Sequence, residues 1–509
     1  MSVEAPPSPR PVASLPAVWA VARVDRPLAA VALLAAAYAG VFSWLSIARY
    51  HAFWQARFDL GNMVQAVWSA AHGHLFITTD LQGEQISRLS SHVDPILGAL
   101  APLWWIWPSP VMLLVVQAVV VATGAFPAFL LGRRWLGDDR LAVAFGAVYL
   151  LYPALQWATV TEFHAVTLAA PLLLWCIWAA DAGRMVTFGV LATAAALCKE
   201  EVGLSLAILG LWMAVSLHRR RAGAVLAACS LAWTAIAIWV VIPHFNHGQG
   251  SVHVAGRYGE LGSDAGGVIR TLVTEPWRAA DIIATEGRGR YVLALLLPLA
   301  FLSLFAPLLA AGALPELLLN LLSSRTAQHE ITYHYASVIV PFLVAAAILG
   351  LSRLRRLNRP RALTEITDRP ALLATLLVVW MVVAGIHLGP LPFWRHVPQG
   401  SDLRTGEYTA GAHAAALSKA VALVPDDAVV SAGNRIGGHL SARRRILTFP
   451  VVADAEYVLV DRTRPDLADT IGPVEHERLV RAILARPDMR LIYERDGVLV
   501  IHRVTPARS

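Results

Sequence analysis

The stretch RYHAFWQARFDLGNMVQAVWSAAHGHLFITTDLQGEQISRLSSHVDP, residues 49–95, decides the fold that the sequence predicts. It directly follows an apolar run and is too polar to lie in lipid. It still carries apolar side chains at helical spacing, namely Phe53, Trp54, Phe58, Met63, Val67 and Trp68. Such a segment is typical of a helix that lies along a membrane surface, with its apolar face in the headgroup region. The stretch therefore predicts a large polar loop after a first membrane span.

The composition indicates a polytopic membrane protein. Of 509 residues, 57% are hydrophobic and only 15% are charged, whereas a soluble domain carries about 25% charged residues. The net charge of +7 rests mainly on arginines in short loops, which the positive-inside rule explains, so no nucleic-acid partner is expected. The three cysteines, Cys176, Cys198 and Cys229, fall in apolar runs and are interpreted as small hydrophobic residues rather than a disulfide framework.

The apolar runs predict about eleven transmembrane helices, since a span needs about 20 apolar residues. They lie near 27–48, 109–132, 140–158, 165–182, 185–199, 202–217, 222–244, 291–307, 308–323, 335–352 and 371–388. The run from Ile96 to Trp107 is too short to cross and is interpreted as re-entrant or interfacial. The arginine-rich loops then face the cytoplasm, which predicts a multi-pass protein of a bacterial inner membrane with its N-terminus inside and its C-terminus outside.

Three regions follow from this pattern. Residues 1–26 form a Pro-rich, disordered cytoplasmic tail, and residues 27–390 form the membrane region with outer loops at 49–108 and 245–290, the second containing an amphipathic helix near 266–285. Residues 400–509 form a small extracytoplasmic α/β domain. Its predicted helices are 409–424 and 474–487, and its predicted strands are 428–433, 445–450, 455–461, 489–494 and 498–504. Its run NRIGGHL (434–440) is not the phosphate-binding pattern GxGxxG.

Asp59 is the first candidate for chemistry, because it stands among aromatic residues at the predicted membrane surface. A solvated helix face or a helix cap explains it equally well. As a functional group it would be a general base, with partial desolvation raising its pKa.

Two short pairs, HxD and ExH, stand at predicted outer helix ends. They are His92 with Asp94 and Glu162 with His164. These side chains suit a divalent metal ion, but hydrogen bonds that fix helix ends or bind substrate hydroxyls explain such short spacings better.

Two further polar clusters interrupt apolar runs on the same predicted face. The first contains Lys199, Glu200 and Glu201, either as an internal ion pair or as a cation for a phosphate. The second offers several donors for an anionic oxygen and contains Arg325, His329, Glu330, Tyr333, His334 and Tyr335.

The sequence contains no GxSxG, HExxH or Walker pattern, which argues against hydrolases and nucleotide-driven pumps. An enzyme on the outer face has no supply of nucleotide sugars, so its activated donors must arrive attached to lipid. The alternatives that remain open are a transporter or lipid flippase, and a non-catalytic envelope scaffold.

A set of motifs resembles the DUF2079 family of predicted membrane proteins over most of the chain. They are FDLGNMVQAVW (58–68), SHVDPIL (91–97), EFHAV (162–166), CKEEVGL (198–204), RYGELG (257–262) and HYASVIVPFL (334–343). That family distantly resembles the GT-C glycosyltransferases, multispanning enzymes that use polyprenyl-phosphate-linked sugars and carry an acidic residue in a large first outer loop.

The resemblance implies a mainly α, GT-C-like membrane protein with a soluble C-terminal α/β domain. Asp59 would deprotonate an acceptor hydroxyl on a cell-envelope glycan or lipid, and Arg325, His334 and Lys199 would stabilise the departing phosphate. GT-C enzymes often have Asp-Glu or Asp-x-Asp at this place, whereas this chain has Phe-Asp-Leu-Gly, which leaves a requirement for a divalent metal open.

Overall fold

The computed structural model describes residues 25–285, 287–357, 368–397, 405–465 and 471–504. Nearly all of the predicted N-terminal tail therefore lies outside the described residues, as does part of the predicted inner loop 353–361. The described chain is mainly helical up to residue 397 and ends in a small domain with a five-stranded sheet.

The membrane region is a succession of helices. They are Arg26–His51, Asn62–Ala71, Ala101–Ile106, Pro110–Ala122, Ala125–Leu136, Asp139–Leu151, Pro153–Val160, Ala169–Ala182, Met185–Ala196, Val202–Ser216, Arg220–Ile236, Ile242–Phe245, Val252–Tyr258, Ala265–Thr274, Pro276–Ile283, Arg288–Leu296, Pro307–Ala310, Leu314–Leu322, Ile339–Leu354 and Pro370–Leu388.

Fewer helices than predicted are long enough to cross a bilayer on their own. Within the described ranges, five continuous helical stretches are long and apolar enough, and Asp139–Leu151 with Pro153–Val160 makes a sixth that bends by 46°. Most of the other predicted spans are helices of 10–17 residues. The structure shows several apolar helices, but not the predicted count of eleven.

The predicted span 291–307 is wrong as a continuous helix. The helix Arg288–Leu296 ends just before Pro298, and Ala300 and Phe301 take positive φ values of 47° and 58°. Proline lacks the N–H that continues a helix, and a left-handed pair of residues turns the chain away from the helix axis. The predicted helix 266–285 is likewise split in two at Glu275, before Pro276.

The arginine-bearing helix ends contact one another. Arg133 pairs with Asp25 and with Asp139, each at 2.7 Å, and Arg355 donates to the carbonyl of Leu136. Arg134 pairs with Asp181. The loops predicted to be cytoplasmic are thus neighbours in space, while the side of the membrane on which they lie stays a prediction.

The stretch 49–95 packs differently from the prediction. The first helix runs on to His51, a short π-helical turn covers Arg57–Gly61, and strands β1 (Ile77–Thr79) and β2 (Gln85–Ser87) form an antiparallel hairpin. Phe53, Met63 and Val67 are buried in the protein. The predicted contact with lipid headgroups is therefore wrong for these three side chains, because other parts of the chain cover them.

The C-terminal domain is a sheet with helices on both faces. Its strands are β3 (Val430–Ala432), β4 (Ile446–Thr448), β5 (Tyr457–Asp461), β6 (Met489–Arg495) and β7 (Val498–Arg503), in the order β4-β3-β5-β7-β6. Strands β4, β3 and β5 are parallel, and β7 and β6 close the sheet as an antiparallel hairpin.

The helices of this domain are Ala412–Val421, Asn434–Gly437 and Pro473–Leu484. Ala412–Val421 packs on the face that carries Val430 and Val500, and Pro473–Leu484 packs on the face that carries Val458 and Ile501. Each predicted strand and long helix has a counterpart here, because alternating burial along a strand is a local property of the sequence.

We expect Gly223→Ala to destabilise the membrane region. A β-carbon at Gly223 would lie 2.3 Å from the backbone oxygen of Gly210 in the neighbouring helix, so the two helices would have to separate. Overpacking of this kind costs about 1–3 kcal/mol, measurable as a lower midpoint of thermal unfolding in detergent. Gly189→Ala is the matched control, since nothing lies within 4 Å of its added β-carbon. An equal midpoint for both variants would contradict this packing.

Candidate active site

A cavity of about 650 Å³ brings together polar side chains from distant parts of the sequence. Part of its lining comes from the segment 58–94, including the β1–β2 hairpin, and part comes from residues 164–166, 198–199 and 334–335. Its ionisable and aromatic lining includes Asp59, Arg88, His92, Asp94, His164, Lys199, His253, Arg257, His334 and Tyr335.

Asp59 reaches the cavity from the π-helical turn Arg57–Gly61, with half of its side chain exposed (50%). Its Oδ1 lies 3.1 Å from Nε2 of His164. Burial alone would raise the pKa of Asp59, but the hydrogen bond and charge of His164, with Arg88 and Arg257, lower it below the usual value. The predicted rise of this pKa is therefore wrong, and the carboxylate is ionised at neutral pH.

Glu162 holds the turn that carries Asp59. Its two carboxyl oxygens accept hydrogen bonds from the backbone N–H of Ala56 at 2.9 Å and of Leu60 at 2.7 Å. The first N–H groups of a helical turn have no partner within the turn, so an external acceptor satisfies them. Burial and the charge of Asp59 raise the pKa of Glu162 well above its ordinary value. Glu162 therefore has a structural role beneath the cavity.

The other members of the HxD and ExH pairs have separate partners. His92 Nδ1 lies 2.9 Å from Glu200, and both oxygens of Asp94 accept from Arg88. The described chain has no group of three or more His, Cys, Asp or Glu side chains arranged to hold a metal ion. The four side chains considered as possible metal ligands (His92, Asp94, Glu162 and His164) instead have separate hydrogen-bond partners and do not converge on one point, which agrees with the hydrogen-bonding alternative.

Two pairs of histidine rings stack inside the site. The ring centroids of His164 and His334 are 3.5 Å apart, and those of His92 and His253 are 4.6 Å apart. Burial, with help from the nearby positive groups, lowers the pKa of His92 well below its usual value and that of His253 to about 2. These two rings are therefore neutral and offer hydrogen bonds rather than charge.

Three cations line the cavity and differ in how they are held. Arg88 is bonded to Asp94, and Lys199 forms an ion pair with Glu201. The guanidinium of Arg257 lies over the ring of Tyr335, 5.8 Å from its centroid. Within the described residues, Arg257 has no carboxylate partner within ion-pair distance, so its charge is available to an anion in the cavity.

A second cavity of about 560 Å³ adjoins the first. The two share His92, Lys199, His253 and Arg257 as lining residues. Most of the remaining wall of the second cavity is apolar and includes Ile238, Trp239, Ile242, Pro243, Val254 and Leu319. A polar chamber and an apolar chamber thus meet at a basic junction.

The model for DUF2079, described as a predicted membrane protein, matches residues 49–490. The chain belongs to this family. The membership predicted from the short motifs is confirmed, and a comparison with curated proteins gives no match.

Two crystal structures of ArnT from Cupriavidus metallidurans are similar to this DUF2079 chain. The one bound to undecaprenyl phosphate has 13% sequence identity and a TM-score of 0.46, and the similarity covers 94% of this chain and 99% of that chain. The one in the apo state has 14% identity and a TM-score of 0.48, with the same coverage.

The predicted site residues of this DUF2079 chain divide into two groups. Those on the first cavity are Asp59, His92, Asp94, His164, Lys199, His334 and Tyr335, and Glu200 and Glu201 line the second. The predicted residues that line neither cavity are Glu162, Arg325, His329 and Glu330. Glu162 instead bonds the turn that carries Asp59.

Arg88, His253 and Arg257 line the site but were not among the predicted site residues. Arg257 opens the family motif RYGELG, which was the available signal for it. Arg88 and His253 stand in ordinary polar surroundings in the sequence, and only their contacts with Asp94 and His92 place them here.

We expect Glu162→Ala to destabilise the protein. The change leaves two N–H groups, those of Ala56 and Leu60, without their acceptor. A buried donor without a partner costs about 1–3 kcal/mol, which thermal unfolding in detergent measures. Glu330→Ala is the control, since Glu330 is exposed and a surface change costs within about 0.5 kcal/mol. Equal stability of both variants would show that Glu162 does not hold the turn.

Proposed function

We propose that this protein is a membrane glycosyltransferase that transfers a sugar from a polyprenyl-phosphate donor to an acceptor in the cell envelope. One observation carries the proposal: an ionised carboxylate, Asp59, lines a polar cavity that joins an apolar cavity at Arg257 and Lys199. A lipid-linked sugar has the same order of parts, with a polar sugar, a phosphate and an apolar chain.

The donor would lie across the two cavities. The first isoprenoid units would contact the apolar wall around Ile238, Trp239 and Leu319, and the phosphate would bind at the junction. Arg257 would supply the principal charge there, because Lys199 is already paired with Glu201. A guanidinium suits phosphate, since it can donate two parallel hydrogen bonds. The sugar would then occupy the polar cavity, whose size is usual for a small-molecule site.

Asp59 would act as the general base. Its carboxylate takes the proton of an acceptor hydroxyl, and that oxygen attacks the anomeric carbon from the side opposite the phosphate. The bond between the anomeric carbon and the phosphate oxygen breaks, and polyprenyl phosphate leaves with the electron pair. A single displacement inverts the configuration at that carbon.

Neighbouring groups would support this step. The hydrogen bond from His164 to Oδ1 fixes the orientation of the Asp59 carboxylate and leaves Oδ2 for the acceptor. Arg257, Lys199 and the neutral His253 stabilise the charge that develops on the phosphate. Arg257, which lines both cavities, would therefore stabilise the departing phosphate, the role that was predicted for Arg325.

The proposed orientation of the protein places the cavity on the outer side of the membrane. With the arginine-rich loops in the cytoplasm, the cavity and the C-terminal domain face the outside of a bacterial inner membrane. A lipid flippase could use the same two cavities, but it would release no covalent product.

We expect Asp59→Asn to lower transfer by at least about a hundredfold, because the amide cannot accept the proton. The test compares wild type and variant in a deletion strain and measures the polyprenyl-phosphate sugar that accumulates by mass spectrometry. The variant should accumulate the lipid to the level of the deletion strain. Asp139→Asn, an exposed carboxylate of the arginine-bearing loops, is the control and should restore turnover.

Full turnover by a stably inserted Asp59→Asn variant would remove Asp59 from the mechanism. Movement of the labelled lipid across vesicles containing the protein, without any glycosylated product, would replace the transferase with a flippase.

We expect Arg257→Ala to weaken the binding of undecaprenyl phosphate by about tenfold to a hundredfold, because hydrogen bonds to charged groups contribute about 1.5–3 kcal/mol. Binding is measured with purified protein in nanodiscs by displacement of a fluorescent lipid phosphate. Arg290→Ala removes an exposed arginine outside both linings and should leave the affinity unchanged. Equal affinities for the two variants would show that the phosphate does not bind at the junction.

A further inference from the structure

We infer that the C-terminal domain positions the catalytic carboxylate through the segment NRIGGHL (434–440), and this inference rests on the proposed function. The segment carries no phosphate-binding pattern. In the structure it contacts the chain between Tyr50 and Gly61, which ends in the turn that presents Asp59. The C-terminal domain therefore supports the active site directly and is not a separate module.

The first contact is a hydrogen bond to the turn itself. The side-chain oxygen of Asn434 accepts the backbone N–H of Phe58 at 3.2 Å. Glu162 accepts the N–H groups on either side of it, those of Ala56 and Leu60. The three donors of one turn are thus shared between the membrane region and the C-terminal domain, and Asp59 lies between two of them.

The second contact is a buried arginine next to the turn. Arg57 is only 1% exposed, and its guanidinium donates to the hydroxyl of Thr448 and to the carbonyls of Ile446 and Thr79. Thr448 and Ile446 belong to β4, the edge strand of the sheet, and Thr79 belongs to the β1–β2 hairpin. Arg57 therefore joins the edge of the C-terminal sheet to the wall of the cavity.

The third contact explains the two glycines of the segment. A β-carbon at Gly438 would lie 2.6 Å from the backbone oxygen of Gln55, and one at Gly437 would lie 3.0 Å from the β-carbon of Arg57. The backbone oxygen of Gln55 is too close to Gly438 for a side chain there, whereas a β-carbon at Gly437 would press on the side chain of Arg57. Gly438 is thus required for docking at this distance, which gives the segment a purpose that its sequence did not reveal.

The fourth contact anchors the segment to the first helix. The ring of His439 stacks between those of Tyr50 and Phe53, with centroids 4.0 Å and 3.8 Å away. Burial lowers the pKa of His439 to about 3, so the ring is neutral and packs as an aromatic group. Asn434, Gly438 and His439 thus fix three successive parts of the same stretch.

This arrangement separates positioning from donor binding. The cations of the junction belong to the membrane region, whereas Asn434 belongs to the C-terminal domain and accepts a hydrogen bond from the turn. Loss of the Asn434 contact should therefore disturb Asp59 and leave the site for the lipid phosphate intact. Asn434 is accordingly a positioning residue.

The test uses the full chain in nanodiscs and two readouts. For Asn434→Ala we expect amide hydrogen exchange in a peptide spanning residues 55–62 to rise about fivefold to tenfold. In cells the lipid-linked sugar should accumulate, while the affinity for undecaprenyl phosphate stays within about twofold. Asn434→Asp keeps an acceptor oxygen for the N–H of Phe58 and should restore slow exchange. Tyr493→Phe removes one hydrogen bond inside the domain, to the carbonyl of Ala416, and should change nothing in residues 55–62.

A second variant covers the case in which Asn434→Ala does not fold. Gly438→Ala should raise exchange in residues 55–62 by pushing the segment away from Gln55. Its control, Gly472→Ala, adds a β-carbon with nothing within 4 Å in the same domain.

Unchanged exchange in both Asn434→Ala and Gly438→Ala would overturn the inference. So would faster exchange with full turnover, provided that Asp59→Asn is inactive. If Asp59→Asn itself retains transfer, the proposed function fails, while the exchange data still decide whether the domain holds the turn.

Discussion

The structure depends on one buried carboxyl group that holds a short turn. Glu162, only 6% exposed, accepts N–H groups from both ends of the turn around Asp59. Backbone N–H groups in a water-poor interior must find an acceptor, and unsatisfied ones are costly. Glu162 supplies this acceptor to the π-helical turn that follows the first long helix. The position of Asp59, and hence of one wall of the cavity, follows from it.

The surroundings of the turn shift the pKa values of Asp59 and Glu162 in opposite directions. Burial opposes the charge of Asp59, but the hydrogen bond and charge of His164, with the charges of Arg88 and Arg257, lower the pKa of Asp59. Burial and the charge of Asp59 instead raise the pKa of Glu162, which lies beneath the turn. The two carboxyl groups thus have pKa values shifted in opposite directions, and Asp59 lines the cavity while Glu162 accepts backbone N–H groups beneath it.

The C-terminal domain and the membrane region together enclose the same turn. Phe58 donates to Asn434 on one side, and Leu60 donates to Glu162 on the other. The sheet of the domain lies with its edge strand against Arg57 rather than exposed to pairing with another chain, which also protects that edge. In the proposed function, donor binding and the positioning of Asp59 would therefore come from different parts of one molecule.

Part of the fold and of the candidate site could be predicted from the sequence alone. The apolar runs determined a multi-pass membrane protein, local patterns determined the strands and long helices of the C-terminal domain, and the motifs determined the family. Asp59 and His334 were recognised as polar residues in apolar surroundings. Such properties depend on composition and on spacing within about 20 residues, so a linear sequence contains them.

Only the tertiary structure decided which residues meet. Asp59 contacts His164 across 105 positions of the chain, and Phe58 contacts Asn434 across 376. The sequence could not show that Glu162 faces backbone amides rather than a metal ion, that Arg257 replaces Arg325 beside the cavity, or that two glycines allow one domain to dock on another. The physical reason is that each of these depends on which elements pack together, and packing is a property of the folded chain as a whole.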